Sequence, residues 1–365
     1  MKKLLMTMLF TMGLIVCAAS LTAESGAKSG SEAAPADTTY TVRGVSFTMK
    51  GIAAVTNGSV GHDDERNNKP HTVSLSAYLI GETEVTQELW QAVMGSNPSF
   101  YDNTGNKKLF GDTLDTSPGM GEVHVKRPVE QVSWFDCIVF CNELIKKVAE
   151  LEESQCVYYR DAACNAVYTA TDADDGTVPH VKQGANGFRL PTETEWEWAA
   201  KGGKEYRWAG TDEQDELKKY AWYDAKNYAW YETCTDQKTH AVKRKRPNGY
   251  GLYDMSGNVW EWCWDRYEDR TPSGGQRDPV SATSGSRCVI RGGSWDRNAA
   301  CATRAFRGSR SPWYSNCFLG LRLACSVHTA KNSVGAGEIS YTDTKQLTRS
   351  QVGRRRRSCV LYGRR

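Results

Sequence analysis

Two sets of residues in this chain are of types that do chemistry. The first is thiol: ten cysteines lie between Cys137 and Cys325, and a thiolate can be a nucleophile, a redox centre or a soft-metal ligand. Their spacing argues against a metal use, since no C-x-x-C pair and no His and Cys cluster with zinc spacing occurs. Disulfide connectivity cannot be read from their order. Cys137 and Cys141 stand four apart on a predicted helix, hence on one face, where two packed free thiols are the plain expectation. The second set is the run from Asp296 to Leu319. It has neither helical nor strand periodicity and contains no Lys, Glu, Gln or Met. A structureless run of this length within a compact domain is usually functional or disordered. Its aromatic and arginine side chains are the types that supply most interface energy, so the chemistry it suits is recognition.

Rigid elements must hold such a run. Tyr40 to Met49 and His71 to Ile80 read as strands. Val85, Leu89, Trp90 and Val93 recur at helical spacing within Glu84 to Met94, with Thr83 or Thr86 as cap. Asn97 to Gly121 reads as a surface loop. A second amphipathic helix is predicted over Trp134 to Leu151. A hairpin-like pair, Cys156 to Tyr159 and Val167 to Thr169, precedes an acidic loop, Asp172 to Asp175. Between Gly187 and Trp198 a strand gives way to a helix begun by Pro191 and Thr192, where Glu195 completes a capping box. Trp260, Trp262 and Trp264 alternate as in a half-buried strand.

Together with Pro128 to Trp134, Asn248 to Trp264, Gly292-Gly293-Ser294-Trp295 and Gly320-Leu321-Arg322-Leu323, these motifs resemble the formylglycine-generating enzyme, or sulfatase-modifying factor, family over nearly the whole domain. The resemblance implies an α+β fold of the C-type-lectin-like type, loop-rich with little regular structure. In the enzymes two cysteines five residues apart follow the Gly-Gly-Ser-aromatic motif, bind copper(I) and oxidise a substrate cysteine. Those positions fall here at Arg297 and Ala302, which offer neither a soft ligand nor a nucleophile. No copper and no enzymatic activity are therefore expected. The alternative is an exported oxidase acting on sulfatases through a rearranged pair such as Cys301 and Cys317. The family's structural calcium site carries over onto Asp254, the backbone of Gly257 and Val259, and Glu261. Read without the family, Asp254 is a turn residue and Glu261 a strand carboxylate facing water or an arginine. A carbohydrate-binding lectin is a further alternative, against which stands the absence of the Glu-Pro-Asn or Gln-Pro-Asp triplet typical of calcium-dependent sugar recognition.

The run after Asp296 also resembles the variable region of retroelement-diversified proteins, the treponemal variable proteins among them. In that family adenines of asparagine codons are randomised, which never yields Lys, Glu, Gln or Met. The resemblance implies a variable region over 296–318, with ligand-contacting positions at Asp296, Arg297, Asn298, Ala300, Cys301, Phe306, Gly308, Arg310, Ser311, Tyr314, Asn316, Cys317 and Phe318. Trp313 joins them as an aromatic anchor, although its codon lies outside the reachable set. Arg304 and Arg307 read as scaffold. The expected partner is a macromolecular ligand, in first place a protein.

The ends point to export. Lys2 and Lys3 precede an apolar run to Val16, the layout of a secretory signal over residues 1–16 and too short for a membrane span. Leu14-Ile15-Val16-Cys17 has the form of a relaxed lipobox, so lipidation of Cys17 would anchor the product to a membrane at the cell surface. Cleavage after Ala23 would instead leave it periplasmic or secreted. Residues 17–39 are a flexible tether, 40–325 one large domain and 326–365 a basic tail. The net charge of +3 belongs to that tail, whose nine Lys or Arg and two acids give +7 and leave 3 − 7 = −4 for the first 325 residues. A domain of that sign gives no ground for a nucleic-acid partner.

Overall fold

The computed structural model describes residues 33–109, 111–224, 238–269, 271, 277–280 and 285–327. The expected signal, Cys17 and the tail from 328 lie outside them. Among the described residues two larger sheets and four α-helices frame the domain, joined by long irregular segments.

The five-stranded sheet is antiparallel, in the order Thr38–Val42, Val45–Ile52, Tyr78–Gly81, Ala324–Ser326, Phe188–Arg189. The domain's first and last strands thus share one sheet. The expected strand over Tyr40 to Met49 is a hairpin, because Arg43 and Gly44 both take positive φ, 48° and 82°, as a two-residue turn of the primed kind requires. The sheet begins two residues before the expected start of the domain at Tyr40. Asp37 fixes that start by accepting the Gly51 N–H at 3.0 Å. His71 to Ile80 likewise divides: His71–Leu75 pairs with Val55–Val60 in a separate ribbon. Between the two strands Asp278 accepts from both the N–H and the hydroxyl of Ser76 at 2.7 Å, which ends the ladder.

Helix α1, Gln87–Met94, is capped by Thr86 and stops at Gly95 in the left-handed region. Helix α2, Trp134–Ile145, starts in a Ser133/Asp136 capping box and is buried at nearly every position. It ends earlier than the periodicity predicts, turning through Lys146 while Val148 stays in the core. Trp90 of α1 stacks on Phe140 of α2 at 4.7 Å. The expected acidic loop is a helix, α3, Ala170–Asp175, since Asp172 accepts from the Thr169 N–H and hydroxyl and so builds a helix start. Helix α4, Glu193–Lys201, begins as expected in the Thr192/Glu195 capping box.

The four-stranded sheet runs in the order Gly308–Arg310, Cys288–Arg291, Trp260–Arg266, Leu319–Leu321, its last pair parallel. Trp260–Arg266 is not half-buried, because α4 packs on it and Glu261, Cys263 and Asp265 are covered as fully as Trp260 and Trp262. Glu193 and Glu197, four apart on α4 and hence on one face, are both buried and bind arginines from the neighbouring sheet and loop. Cys137 and Cys141 are buried thiols with no bond between them.

Candidate ligand-binding face

The run from 296 to 318 is slung between the two strands that flank Trp260–Arg266 in the four-stranded sheet. It leaves Cys288–Arg291 through Gly292 and Gly293, at φ 96° and 74°. A Cβ on Gly293 would stand 2.9 Å from the Cys301 carbonyl oxygen, so only glycine lets the returning chain pack there. Asn298 then caps a single helical turn, Ala299–Ala302, by accepting from the Cys301 N–H. The chain reaches the edge strand Gly308–Arg310, and Pro312 presents its carbonyl to the Trp134 N–H at 3.0 Å. It rejoins the sheet at Leu319.

Between these fixed points accessible and buried residues interleave. Asp296, Arg297, Asn298, Cys301, Phe306, Gly308, Arg310, Ser311, Trp313 and Tyr314 are partly exposed and Ala300 is exposed. Ala299, Ala302, Thr303, Arg304, Ala305, Arg307, Ser309 and Pro312 are buried. The buried set is bolted down. Arg307 pairs with both oxygens of Glu193 at 2.6 and 2.7 Å, and Arg304 donates to the Tyr206 carbonyl at 2.7 Å and reaches Glu197 at 3.5 Å. Burial works against the Arg307 charge, but Glu193 more than offsets it and holds the guanidinium above its usual pKa. Arg304 and Arg307 are therefore held as framework within this run.

The accessible set forms connected clusters. Arg310 lies over the Tyr314 ring at 5.4 Å and Arg297 over Phe318 at 5.7 Å. Asp296 sits beside Arg297, Nε to Oδ2 3.5 Å. Burial raises the Asp296 pKa, opposed by Arg297 and, more weakly, Arg310. Trp313 lies against Phe135 at 4.7 Å, its rim over Gly176 at the end of α3.

Three of the expected contact residues are placed differently. Asn316, Cys317 and Phe318 are 1%, 0% and 2% exposed. Asn316 accepts from the Gln131 N–H at 2.9 Å and donates to the Tyr314 hydroxyl at 2.8 Å, while the Cys317 and Phe318 carbonyls accept from Trp295 and Trp260. They shape the loop from beneath, since the chain must dive here to enter the sheet at Leu319. Sequence alone gives no sign of the 61–69 segment as a support: Asn68 is fully buried and donates to Glu197 and to the Ala305 carbonyl at 2.7 and 2.9 Å. Its partners are remote in the chain and leave no local pattern.

At the positions implied for catalytic thiols, Arg297 is partly exposed and Ala302 fully buried, its carbonyl accepting from the Ser256 hydroxyl at 2.7 Å. Burial pushes the Cys301 thiol up, away from thiolate character. Of the residues implied for calcium, Glu261 is committed to an arginine as arranged. Glu261 holds Arg322 through both oxygens, at 2.7 to 3.1 Å, and accepts from the Trp196 indole at 2.6 Å. That realises the family-free expectation of an arginine partner. Asp254 accepts from the Lys243 N–H at 3.0 Å through Oδ2, while its buried Oδ1 has no hydrogen-bond partner. Among the described residues no group of three or more His, Cys, Asp or Glu is placed to hold a metal.

The fold and this loop define a class. The chain belongs to the family of the sulfatase-modifying factor enzyme 1-like domain, whose model matches residues 26–327. More particularly, it is similar to Treponema denticola variable protein 1, with 47% identity, a TM-score of 0.66 and coverage of 80% of this chain and 99% of that one. Among curated relatives it is 32% identical over 251 residues to the chaperone protein LppX of Paenibacillus barcinonensis, covering 65% of this chain and 75% of that protein. It is 37% identical over 160 residues to the formylglycine-generating enzyme of Streptomyces coelicolor, covering 38% of this chain and 46% of the enzyme. The chain thus spans less than half the length of that enzyme.

Proposed function

We propose that this chain is a non-catalytic binding protein whose accessible residues between Asp296 and Tyr314 recognise a macromolecular ligand, in first place a protein, and that a retroelement varies them. The observation that carries this reading is the interleaving: the positions expected to vary reach solvent as far as Tyr314, and the residues between them are buried in ion pairs and core. Such a loop can change its surface without changing its support. Arg, Trp, Tyr and Phe on a rigid frame give contact area at low entropic cost. A standard interface uses roughly 20 to 30 residues a side, so the loop supplies its centre. Likeness to a variable protein supports the same reading. Enzymatic oxidation is disfavoured by Arg297 and Ala302, which offer copper no ligand.

The test is genetic. A near copy of the codons for residues 290–323, differing at adenines and lying beside a reverse transcriptase, is the expected finding. Its absence, with a sulfatase gene alongside and copper bound by the purified chain, would overturn the reading in favour of an oxidase. Export and a lipid anchor at Cys17 complete the proposal. Labelled palmitate should enter the wild-type chain and not Cys17→Ser, and equal labelling of both would sink the anchor.

A further inference from the structure

A cleft of about 700 Å³ opens beside Phe306, between the 65–67 segment and the residues that follow the strand Trp260–Arg266. We propose that this cleft takes a cationic side chain, an arginine guanidinium in first place, from a protein ligand, and that it forms a constant half of the binding face. The proposal rests on reading the neighbouring loop as that face.

The walls have the chemistry of a guanidinium site. Phe306 and Tyr267 bring aromatic rings to the lining, and Glu65 and Asp269 bring carboxylates. A guanidinium is planar and weakly hydrated, stacks on rings and pairs with carboxylates through a fork of donors. Arg307 also lines the cleft, but it is paired with both oxygens of Glu193, a carboxylate that Arg291 shares, and its Nη1 donates to the carbonyls of Asn67 and Glu268 at 3.2 and 2.9 Å. With Arg307 paired, the lining carries Glu65 and Asp269 against Arg66, a balance of −2 + 1 = −1. Arg307 itself lies over Tyr267 at 4.8 Å, an instance of the same stacking already built into this wall.

The walls are also held before any ligand arrives. Thr303 donates to Glu65 at 3.2 Å, Asn67 donates to the Tyr267 hydroxyl at 2.7 Å, and Asn68 ties the segment to the Ala305 carbonyl. Of the residues that line the cleft, Phe306 alone is among the positions expected to vary. A cation inserted here would meet the same carboxylates whatever stands at the other loop positions.

The experiment uses the full-length chain with N-acetyl-arginine amide, and N-acetyl-citrulline amide as its uncharged counterpart. The arginine probe should shift the backbone amide resonances of Glu65, Arg66 and Tyr267, and citrulline should not. The double variant Glu65→Gln/Asp269→Asn, whose amides can keep the neighbouring hydrogen bonds, should weaken the arginine probe about tenfold. Arg66→Gln, which removes a like charge, should strengthen it. Equal response to both probes, no shift at those amides, or an unchanged affinity in the double variant would overturn the proposal. These outcomes are separable from the loop reading, which stands or falls on the codon repeat: a diversified loop beside a cleft that ignores arginine removes the cleft's role alone.

Discussion

Neighbouring residues in the loop do opposite work, and Phe306 with Arg307 is the sharpest case. Phe306 is partly exposed at the cleft, so its loss should cost a ligand more than it costs the fold. Arg307 is buried against Glu193. Removing one partner of a buried pair leaves an uncompensated charge and typically costs roughly 3–5 kcal/mol. Urea unfolding should therefore separate Arg307→Gln, strongly destabilised, from Phe306→Ser, within about 1 kcal/mol of the parent; equal losses would mean that the interleaving is not a division of labour. A second case lies beneath the sheet. Burial pushes Asp254 up to about 6, against the hydrogen bond from Lys243, and pushes nearby Glu84 well above its ordinary value, with Asp254 adding to the effect. The unfolded chain releases the Asp254 proton near 3.8 and the folded chain holds it to about 6. Between those values the folded state binds more protons, so stability falls as pH rises through the window and the loss persists above it. Asp254→Asn should remove that slope and be no less stable than the parent at pH 7.5. A calcium ligand at Asp254 predicts the reverse, a variant weakened at neutral pH and a parent stabilised by added calcium.

Elements were legible where a local rule governs them. The Thr192 cap of α4 is an example, and it matters because Glu195 in the same box also binds Arg189 at 2.6 and 2.7 Å. Thr192→Ala should lower unfolding stability by about 1 kcal/mol, the usual worth of such a cap, and a change within error would mean that tertiary packing alone starts this helix. The capping box, both longer helices and the buried thiols could be read from local motif and period, and the α+β fold from the family resemblance. The Arg43-Gly44 hairpin could not, because a two-residue turn with Arg in the left-handed region departs from the usual Asn-Gly or Gly-Gly signal. Helix α3 was hidden because Asp172, read as loop charge, is the acceptor that caps it. The tryptophans at 260, 262 and 264 gave the strand but not its burial, since a strand covered on both faces by α4 and by core differs from a half-buried one only in what packs against Glu261 and Cys263. In the loop the accessible positions followed from the resemblance as far as Tyr314. Burial of Asn316 to Phe318 depends on the parallel pairing of Leu319–Leu321 with Trp260–Arg266, a contact that no local pattern encodes.

At the scale of the whole domain, the loop is tied to the core mainly through its buried arginines. The loop's anchors, Arg304 and Arg307, end on Glu197 and Glu193 of α4, while Arg291 of the central sheet meets the same two carboxylates. The partly exposed side chains of the loop stand outside this ion-pair network, although Phe306 and Trp313 also rest on the core through Trp260 and Phe135. Distant, exposed substitutions are expected to add with small individual effects, within about 0.5 kcal/mol each. A chain re-equipped at once with Ser, Tyr, Asn or Asp at 297, 298, 300, 306, 310, 311 and 314 should unfold with the parent's urea slope and lose at most a few kcal/mol. Phe318→Ala alone, which empties a fully buried ring site, should cost about 3 kcal/mol or more. The same contrast can be read in sibling genes. If they differ freely at 297 to 314 but keep Phe or another large apolar residue at 318, the buried end of the run belongs to the scaffold. Polar residues at 316 to 318 in folded siblings, together with a re-equipped chain that fails to fold, would mean that the loop and the core share their energetics after all, and that variation here must be selected for stability before it can be selected for binding.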